Sequence, residues 1–427
     1  MAGRRTVADR LAAALGAVLG TPRLPVRLRG WDGSLSGPDG APVVAVHSRR
    51  ALRRMLWSPG QLGLGRAYVA GEIDMEDDVF ATVAALRTAG RLTQDEPASG
   101  VTWRERLALL GTALRLGAIG PEPAPPPEEA RPERAGRRHS RTRDAAAIAH
   151  HYDVGNDFYE LVLGPSMVYS CAVWATPETG LDAAQEAKLD LACRKLGLGP
   201  GSHLLDVGCG WGSLAIHAAR RHGATVVGIT LSEEQARMAR KRVAEAGLTD
   251  RIDIRVQDYR AVDDGPFDAI SSIGMAEHVG RAQMPGYAAH LSALLRPGGR
   301  LLNHAISWNA GTSTWDPDSF IARYVFPDGE LLGLGELVAV LESGDLEVLD
   351  VEALRRHYAL TLRAWVRRLE QDWDAAVAAS SEGRARVWRL YMAASALTFE
   401  AGDMGVNQVL LQKAGGAPPP LRRTAWL

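Results

Sequence analysis

The sequence predicts an α/β fold, a mostly parallel sheet with helices on both faces, preceded by a smaller α+β domain. Three observations carry that expectation. From residue 145 onward, short apolar runs alternate with longer amphipathic ones, as a parallel sheet with crossover helices demands. One of those runs ends in a glycine-rich turn that opens a helix, Leu204-Leu205-Asp206-Val207-Gly208-Cys209-Gly210-Trp211-Gly212. Finally, 427 residues exceed one ordinary domain, and the residues before 120 mix strand-like and helical runs without that alternation.

The elements follow in order. Thr6-Val7-Ala8-Asp9 reads as the start of an amphipathic helix. Arg4 and Arg5 ahead of an Ala/Leu-rich run raise the question of a signal peptide, but Asp9 and Arg10 interrupt the apolar stretch. Val43-Val44-Ala45-Val46 is strand-like, and 79–86 and 103–116 are helical. Pro121-Glu122-Pro123-Ala124-Pro125-Pro126-Pro127 is too proline-rich for a helix or a central strand. Residues 121–144 therefore read as an extended linker between a domain at 1–120 and a second at 145–427. The linker carries a basic cluster, Arg131, Arg134, Arg137, Arg138, Arg141 and Arg143, which is either simply solvated or suited to phosphate head groups. Beyond it, a helix at 181–196 leads to a buried strand at 203–207, a helix at 211–221 and a strand at 225–229. The helix at 232–246 has Ser232 as N-cap, with Gln235 placed to close a capping box. Strands at 252–256, 267–272 and 299–304 follow, with Pro297-Gly298-Gly299 as the turn before the last.

Composition sets the outer limits. Hydrophobic residues make up 46%, charged residues 23%, and the net charge is −1, which describes a globular protein with no general electrostatic preference for nucleic acid. Only Lys188, Lys195, Lys241 and Lys413 are lysines, so nearly all positive charge is Arg. Cys171, Cys193 and Cys209 form neither a disulfide framework nor a zinc pattern. They fit a reducing cytosol, and no metal is expected. No apolar run is long enough to span a bilayer.

The glycine turn is the centre of the functional reading. Ligands bind at the carboxyl edge of such sheets, where glycines admit the ligand to the backbone and a helix N-terminus favours a carboxylate. The spacing is Asp-x-Gly-x-Gly-x-Gly rather than the dinucleotide pattern, and an acid stands just before the glycines. That suits the ammonium and carboxylate of a methionine moiety, so S-adenosylmethionine is the expected cofactor. Gln257, Asp258 and Tyr259 fit a grip on adenine, the acid for its amine and the ring for stacking. Thr230 and Leu231 end the second strand without the acid that commonly binds ribose, and Gln235 is the candidate substitute or else a plain helix position.

The chain resembles the cyclopropane-fatty-acyl-phospholipid synthase family at several ordered motifs. These are His151-Tyr152-Asp153-Val154-Gly155-Asn156-Asp157-Phe158-Tyr159, Tyr169-Ser170-Cys171-Ala172-Val173-Trp174, the glycine turn, residues 228–235 and residues 274–280. The likeness continues through residues 324–329 and 357–362 and covers roughly 145–410. Residues 125–132, 163–167 and 390–395 resemble most the actinobacterial branch on the route to tuberculostearate, where a methylated oleoyl phospholipid becomes a 10-methylene chain and a separate reductase finishes the product. The resemblance implies a Rossmann-like class I methyltransferase fold, a homodimer, and a cytoplasmic protein peripheral to the inner face of the plasma membrane, where its unsaturated phospholipid lies. It also assigns Tyr169 and Ser170 to the cofactor.

An alkene is a weak nucleophile, so the sulfonium methyl supplies a strong electrophile; the resulting carbocation must then lose a proton to a base. The resemblance implies a bound bicarbonate ion as that base, held by Cys171, Glu277, His304, Ile306 (through its backbone) and Tyr358. Three of them have a plainer alternative: Cys171 a small buried thiol, His304 a core histidine, Tyr358 a tyrosine packed on a helix. Tyr169, Trp174 and Tyr358 are aromatic candidates for easing the cation. Trp365, Trp373 and Trp388 fit a lipid tunnel or an ordinary core. A cyclopropane product, a methyltransferase for small molecules, and a non-catalytic lipid-binding protein are the competing readings.

Overall fold

A computed structural model describes residues 5–19, 21, 23–58, 60–88, 103–130, 143, 155–309, 316 and 318–426. They form two compact units: the first within Met1–Pro132, Thr312–Pro327 and Trp373–Leu397, the second within Glu133–Gly311, Asp328–Asp372 and Thr398–Leu427.

The first unit is α+β. Its strands β1 (Arg27–Arg29), β2 (Leu35–Ser36), β3 (Val43–Val46) and β4 (Ile73–Met75) make one sheet in the order β2-β1-β3-β4, with β1 and β3 parallel. Helix Val7–Leu19 begins as its sequence suggests. Thr6 and Asp9 cap each other, the Thr6 N–H donating to Asp9 Oδ2 at 3.0 Å and the Asp9 N–H to Thr6 Oγ1 at 3.2 Å. Leu11, Leu15, Val26, Leu28, Val44, Leu52, Met55 and Tyr68 fill the core between helices and sheet. The proline-rich stretch has neither helix nor strand, yet it is anchored. Glu129 is buried and accepts from Arg66 Nε and Nη2, both at 2.7 Å, from Arg323 Nε at 2.9 Å and from Tyr324 Oη at 3.2 Å. Of the basic cluster, Arg131, Arg134, Arg137, Arg138 and Arg141 lie outside the described residues, as do His151, Tyr152, Asp153 and Val154.

The second unit holds strands β5 (His203–Val207), β6 (Thr225–Thr230), β7 (Ile252–Val256), β8 (Phe267–Ile273), β9 (Leu295–Trp308), β10 (Leu332–Gly333), β11 (Leu346–Ala353) and β12 (Met404–Lys413). The sheet runs β11-β12-β9-β8-β5-β6-β7, with β10 paired to β9. Strands β5 to β10 pair in parallel, and β12 joins β9 and β11 antiparallel. Alternate residues of β5 point to opposite faces. Leu204 meets residues of the helices Leu181–Leu196, Ser213–His222 and Glu233–Glu245, while Leu205 and Val207 meet those of Met284–Leu294 and Leu334–Glu342. No described helix is long and apolar enough to cross a membrane.

Two local expectations are corrected. Pro297-Gly298-Gly299 is not a turn before a strand: it is an irregularity inside β9, where pairing with β8 jumps from Phe267↔Leu295 to Ala269↔Arg300 and Gly298 takes φ +74°. The capping box at Ser232 is only half formed. Ser232 Oγ accepts from the Gln235 N–H at 3.2 Å, but the Ser232 N–H goes to Thr230 Oγ1 at 3.2 Å. The Gln235 amide is drawn to Thr230 instead, its Oε1 accepting from that hydroxyl at 2.8 Å.

Candidate active site

Strand β5 delivers Asp206 to the sheet edge, and the chain then turns through Gly208 (φ +78°), Gly210 (φ +54°) and Gly212 (φ +78°). The N–H groups of Gly208 and Cys209 donate to Ile229 O at 3.0 and 2.9 Å, which ties the turn to β6. A Cβ on Gly208 would lie 2.5 Å from Met275 Sδ. At Gly210 a Cβ would meet only Gln235 Nε2, at 4.0 Å, so it would stand in the space the turn leaves for a ligand.

That space is a cavity lined by Tyr169, Ser170, Asp206, Gly208, Gly210, Thr230, Leu231, Gln235, Gln257 and Tyr259, all expected cofactor residues. Asp258 is not brought into it. Its carboxylate caps the short helix Tyr259–Ala261 and pairs with Arg260 Nη2 at 2.7 Å. Arg260 also lies over the Tyr259 ring, 5.3 Å from its centroid.

Asp206 is buried. One carboxylate oxygen accepts from Ser271 Oγ at 2.7 Å and the other has no hydrogen-bond partner among the described residues. Burial lifts its pKa to about 6. Lys188 lines the same cavity and was missed as a site residue from the sequence. Its side chain is buried, with no hydrogen bond or ion pair to any described residue, and desolvation lowers its pKa to about 8. The signal was present: Leu181, Ala184, Gln185, Lys188, Leu189, Ala192, Cys193 and Leu196 share one buried helix face, and a lysine there breaks an apolar stripe. An orphaned carboxylate oxygen and a buried ammonium on one cavity fit the ammonium and carboxylate of a methionine moiety.

The five residues expected around the base all belong to the second unit and fall into two contact groups, Glu277 with Ile306 and His304, and Cys171 with the start of the helix that carries Tyr358. Glu277, on the helix Ala276–Val279, accepts the Ile306 N–H at its Oε1 at 2.8 Å; its Oε2 is buried without a hydrogen-bond partner. Burial pushes its carboxyl up to about 7. His304 precedes Ile306 by two on β9, hence on the same face of the sheet. It is buried, its Nδ1 lies 3.3 Å from Gln408 Nε2, and its Nε2 has no hydrogen-bond partner among the described residues. Burial, with Lys188 and Lys195 adding, lowers its pKa to about 3, so the ring is neutral. Cys171 is buried and its Sγ donates to Ala172 O at 3.2 Å; a longer contact of 3.7 Å reaches Leu354 O, one residue before the helix Arg355–Gln371 that carries Tyr358. Burial pushes the Cys171 thiol well up, so it is un-ionised. Tyr358 meets Trp365 edge-on and Phe399 at a tilt, with ring centroids at 6.1 and 4.8 Å. Trp365 and Trp388 are core residues of their own units.

A profile of the mycolic acid cyclopropane synthetase family matches residues 139–409. The chain is 44% identical to the probable fatty acid methyltransferase Rv3720 of Mycobacterium tuberculosis, over 94% of its own length and 95% of that protein. It is 36% identical to the tuberculostearic acid methyltransferase UfaA1 of the same organism, over 93% of its own length and 89% of that protein. The crystal structure of the mycolic acid cyclopropane synthase CmaA1 with SAH and CTAB superposes with a TM-score of 0.59 at 33% identity, covering 63% of this chain and 98% of that one.

Proposed function

The chain belongs to the mycolic acid cyclopropane synthetase family and is an S-adenosylmethionine-dependent methyltransferase acting on fatty acyl lipids; from that premise we propose that it methylates the cis double bond of an unsaturated phospholipid acyl chain to give a 10-methylene chain. The observation that carries this reading is the pair of buried, unpartnered groups beside the cofactor cavity, Glu277 Oε2 and His304 Nε2.

At the cofactor end, Asp206 would hold the methionine ammonium and Lys188 its carboxylate. Gly208 and Gly210 keep the approach open, Gln235 with Thr230 would take the ribose side, and Gln257 and Tyr259 would take adenine. Bound there, S-adenosylmethionine supplies an electrophilic methyl. The alkene's π pair forms the new carbon–carbon bond while the S–CH₃ pair stays on sulfur, leaving a cation on the acyl chain. A hydride shift onto the cationic carbon moves the charge to the methylated carbon. Loss of a methyl proton then leaves the exocyclic double bond; without the shift, the same loss closes a cyclopropane ring.

The proton needs an acceptor. A bicarbonate ion fits Glu277 Oε2 and His304 Nε2, the Glu277 carboxyl being half-protonated near neutral pH and the imidazole neutral. Such an ion would supply a base; Glu277 and the neutral His304 would orient it, the Ile306 N–H holding Glu277 Oε1 in place. Cys171 and Tyr358 complete the wall. Peripheral contact with the inner face of the plasma membrane, a homodimer and a downstream reductase belong to the same reading. Reaction with oleoyl phospholipid followed by proton NMR of the released acyl chain tests the product. Vinylic methylene signals are expected; cyclopropyl signals would replace this reading with the ring-forming one.

A further inference from the structure

We propose that Asp190, Cys193, His217 and His222 form a site for a tetrahedral divalent transition metal, zinc by preference, stapling the helix Leu181–Leu196 to the helix Ser213–His222. Cys193 Sγ and one ring nitrogen from each histidine lie within 4.8 Å of one another. Asp190 Oδ1 is 3.2 Å from His222 Nε2 and 3.8 Å from His217 Nε2. Its Oδ2 is held by Arg194 Nε at 2.8 Å, which turns Oδ1 toward the two imidazoles. Cys193 is fully buried and His217 is 9% exposed, and the His217 Nε2 that faces Asp190 has no hydrogen-bond partner among the described residues. A buried ring nitrogen left unbonded is costly, and a metal ion would satisfy it.

One thiolate, two imidazoles and one carboxylate are a borderline-soft donor set of the kind zinc takes. With Zn–N near 2.0 Å and Zn–S near 2.3 Å, tetrahedral ligand atoms sit about 3.3–3.8 Å apart. The Cys193, His217 and His222 ligand atoms must therefore close by about 1–1.5 Å, within reach of side-chain rotation, while Asp190 Oδ1 approaches from the side of the two imidazoles. Burial holds the His217 pKa down, so its ring is a neutral ligand, and holds the Cys193 thiol protonated, so binding expels one proton to solvent as the thiolate–metal bond forms. The residues come from two helices at spacings of three and five, which match no zinc motif in the linear sequence. The site spans the middle to the far end of the helix that opens at the cofactor turn, roughly 6–14 Å along its axis, and is structural.

Chelator-stripped full-length protein titrated with Co²⁺ should bind one ion per chain, with tetrahedral d–d bands and a thiolate-to-cobalt charge-transfer band, both bleached by Zn²⁺. Cys193→Ser should remove the charge-transfer band. His222→Gln, at a partly exposed position at the helix end, should weaken Zn²⁺ binding by about tenfold or more and decides the matter if the Cys193 variant does not fold. Absence of stoichiometric binding, absence of the thiolate band, or unchanged affinity in His222→Gln would overturn the site.

Discussion

The Lys188 ammonium is buried near the Asp206 charge, and an anion bound in the cofactor cavity would stabilise it further. Lys188→Met keeps the volume and removes the charge. It should weaken S-adenosylmethionine binding by about tenfold or more, the worth of a charged hydrogen bond, while leaving kcat at saturating cofactor within a few-fold of wild type. Glu277→Gln should do the reverse, with calorimetric affinity retained and kcat lower by about a hundredfold or more. Bicarbonate depletion should slow the wild type, and no response would remove the ion from the mechanism. Glu277 also ties stability to pH. Its folded pKa is about 7 against about 4.3 in an unfolded chain. Between these values the native state keeps a proton that the unfolded state has released. The group's stabilising contribution is thus full below about pH 4 and lost as pH rises to about 7. Glu277→Gln should therefore gain melting temperature relative to wild type from about pH 5 to pH 8, by the equivalent of about 3 kcal/mol at most. A constant difference across that range would mean the carboxyl is not held protonated.

At the scale of elements, what was legible depended on how local the signal is. Asp206, the three glycines and the Ser232 cap belong to single short segments, and their physical demands are written in adjacent residues. Lys188 and the four residues of the proposed metal site become meaningful only when one helix face is laid on another or on the sheet. Pro297-Gly298-Gly299 misled for a related reason: the tripeptide reads as a turn, and only the pairing of Ala269 with Arg300 shows the strand continuing through it. Helix Trp103–Leu116 carries a further feature that spacing alone leaves ambiguous. Trp103, Leu107, Leu110 and Leu114 repeat at helical intervals, which ordinarily marks a core face, yet they are 44–67% exposed. Trp57 is also exposed, and Arg50, Arg53 and Arg115 belong to the same unit. An apolar, tryptophan-bearing face in a unit rich in arginine suits the interface of an anionic bilayer. Changing Trp103, Leu107 and Leu114 to Gln should lower binding to phosphatidylglycerol-containing vesicles by about tenfold or more and spare activity on detergent-dispersed lipid. Unchanged vesicle binding would assign the face to something other than lipid. Arg143, the described member of the basic cluster, pairs with Asp328 at 2.6 and 2.8 Å and is committed within the second unit.

For the whole molecule, the fold follows from the alternation of strands and helices, whereas the proposed reaction would draw on two groups of residues. The proposed cofactor residues Asp206, Thr230 and Gln257 lie at or just after the ends of β5, β6 and β7, and of the proposed proton-handling residues His304 and Ile306 lie on β9. A methyltransferase for small molecules would need only the first group. The second is what a carbocation route requires, because the methyl group must lose one of its own hydrogens after transfer. The decisive measurement follows that methyl. The protein is incubated with S-adenosylmethionine bearing a fully deuterated, ¹³C-labelled methyl and with oleoyl phospholipid vesicles, and the released acyl chains are read by mass spectrometry. The account predicts acyl chains that gain the labelled carbon with two of its three deuterons, the third having been released to the base. An intact trideuteromethyl group on a head group or a small molecule, or cofactor consumed with unlabelled acyl chains, would contradict it.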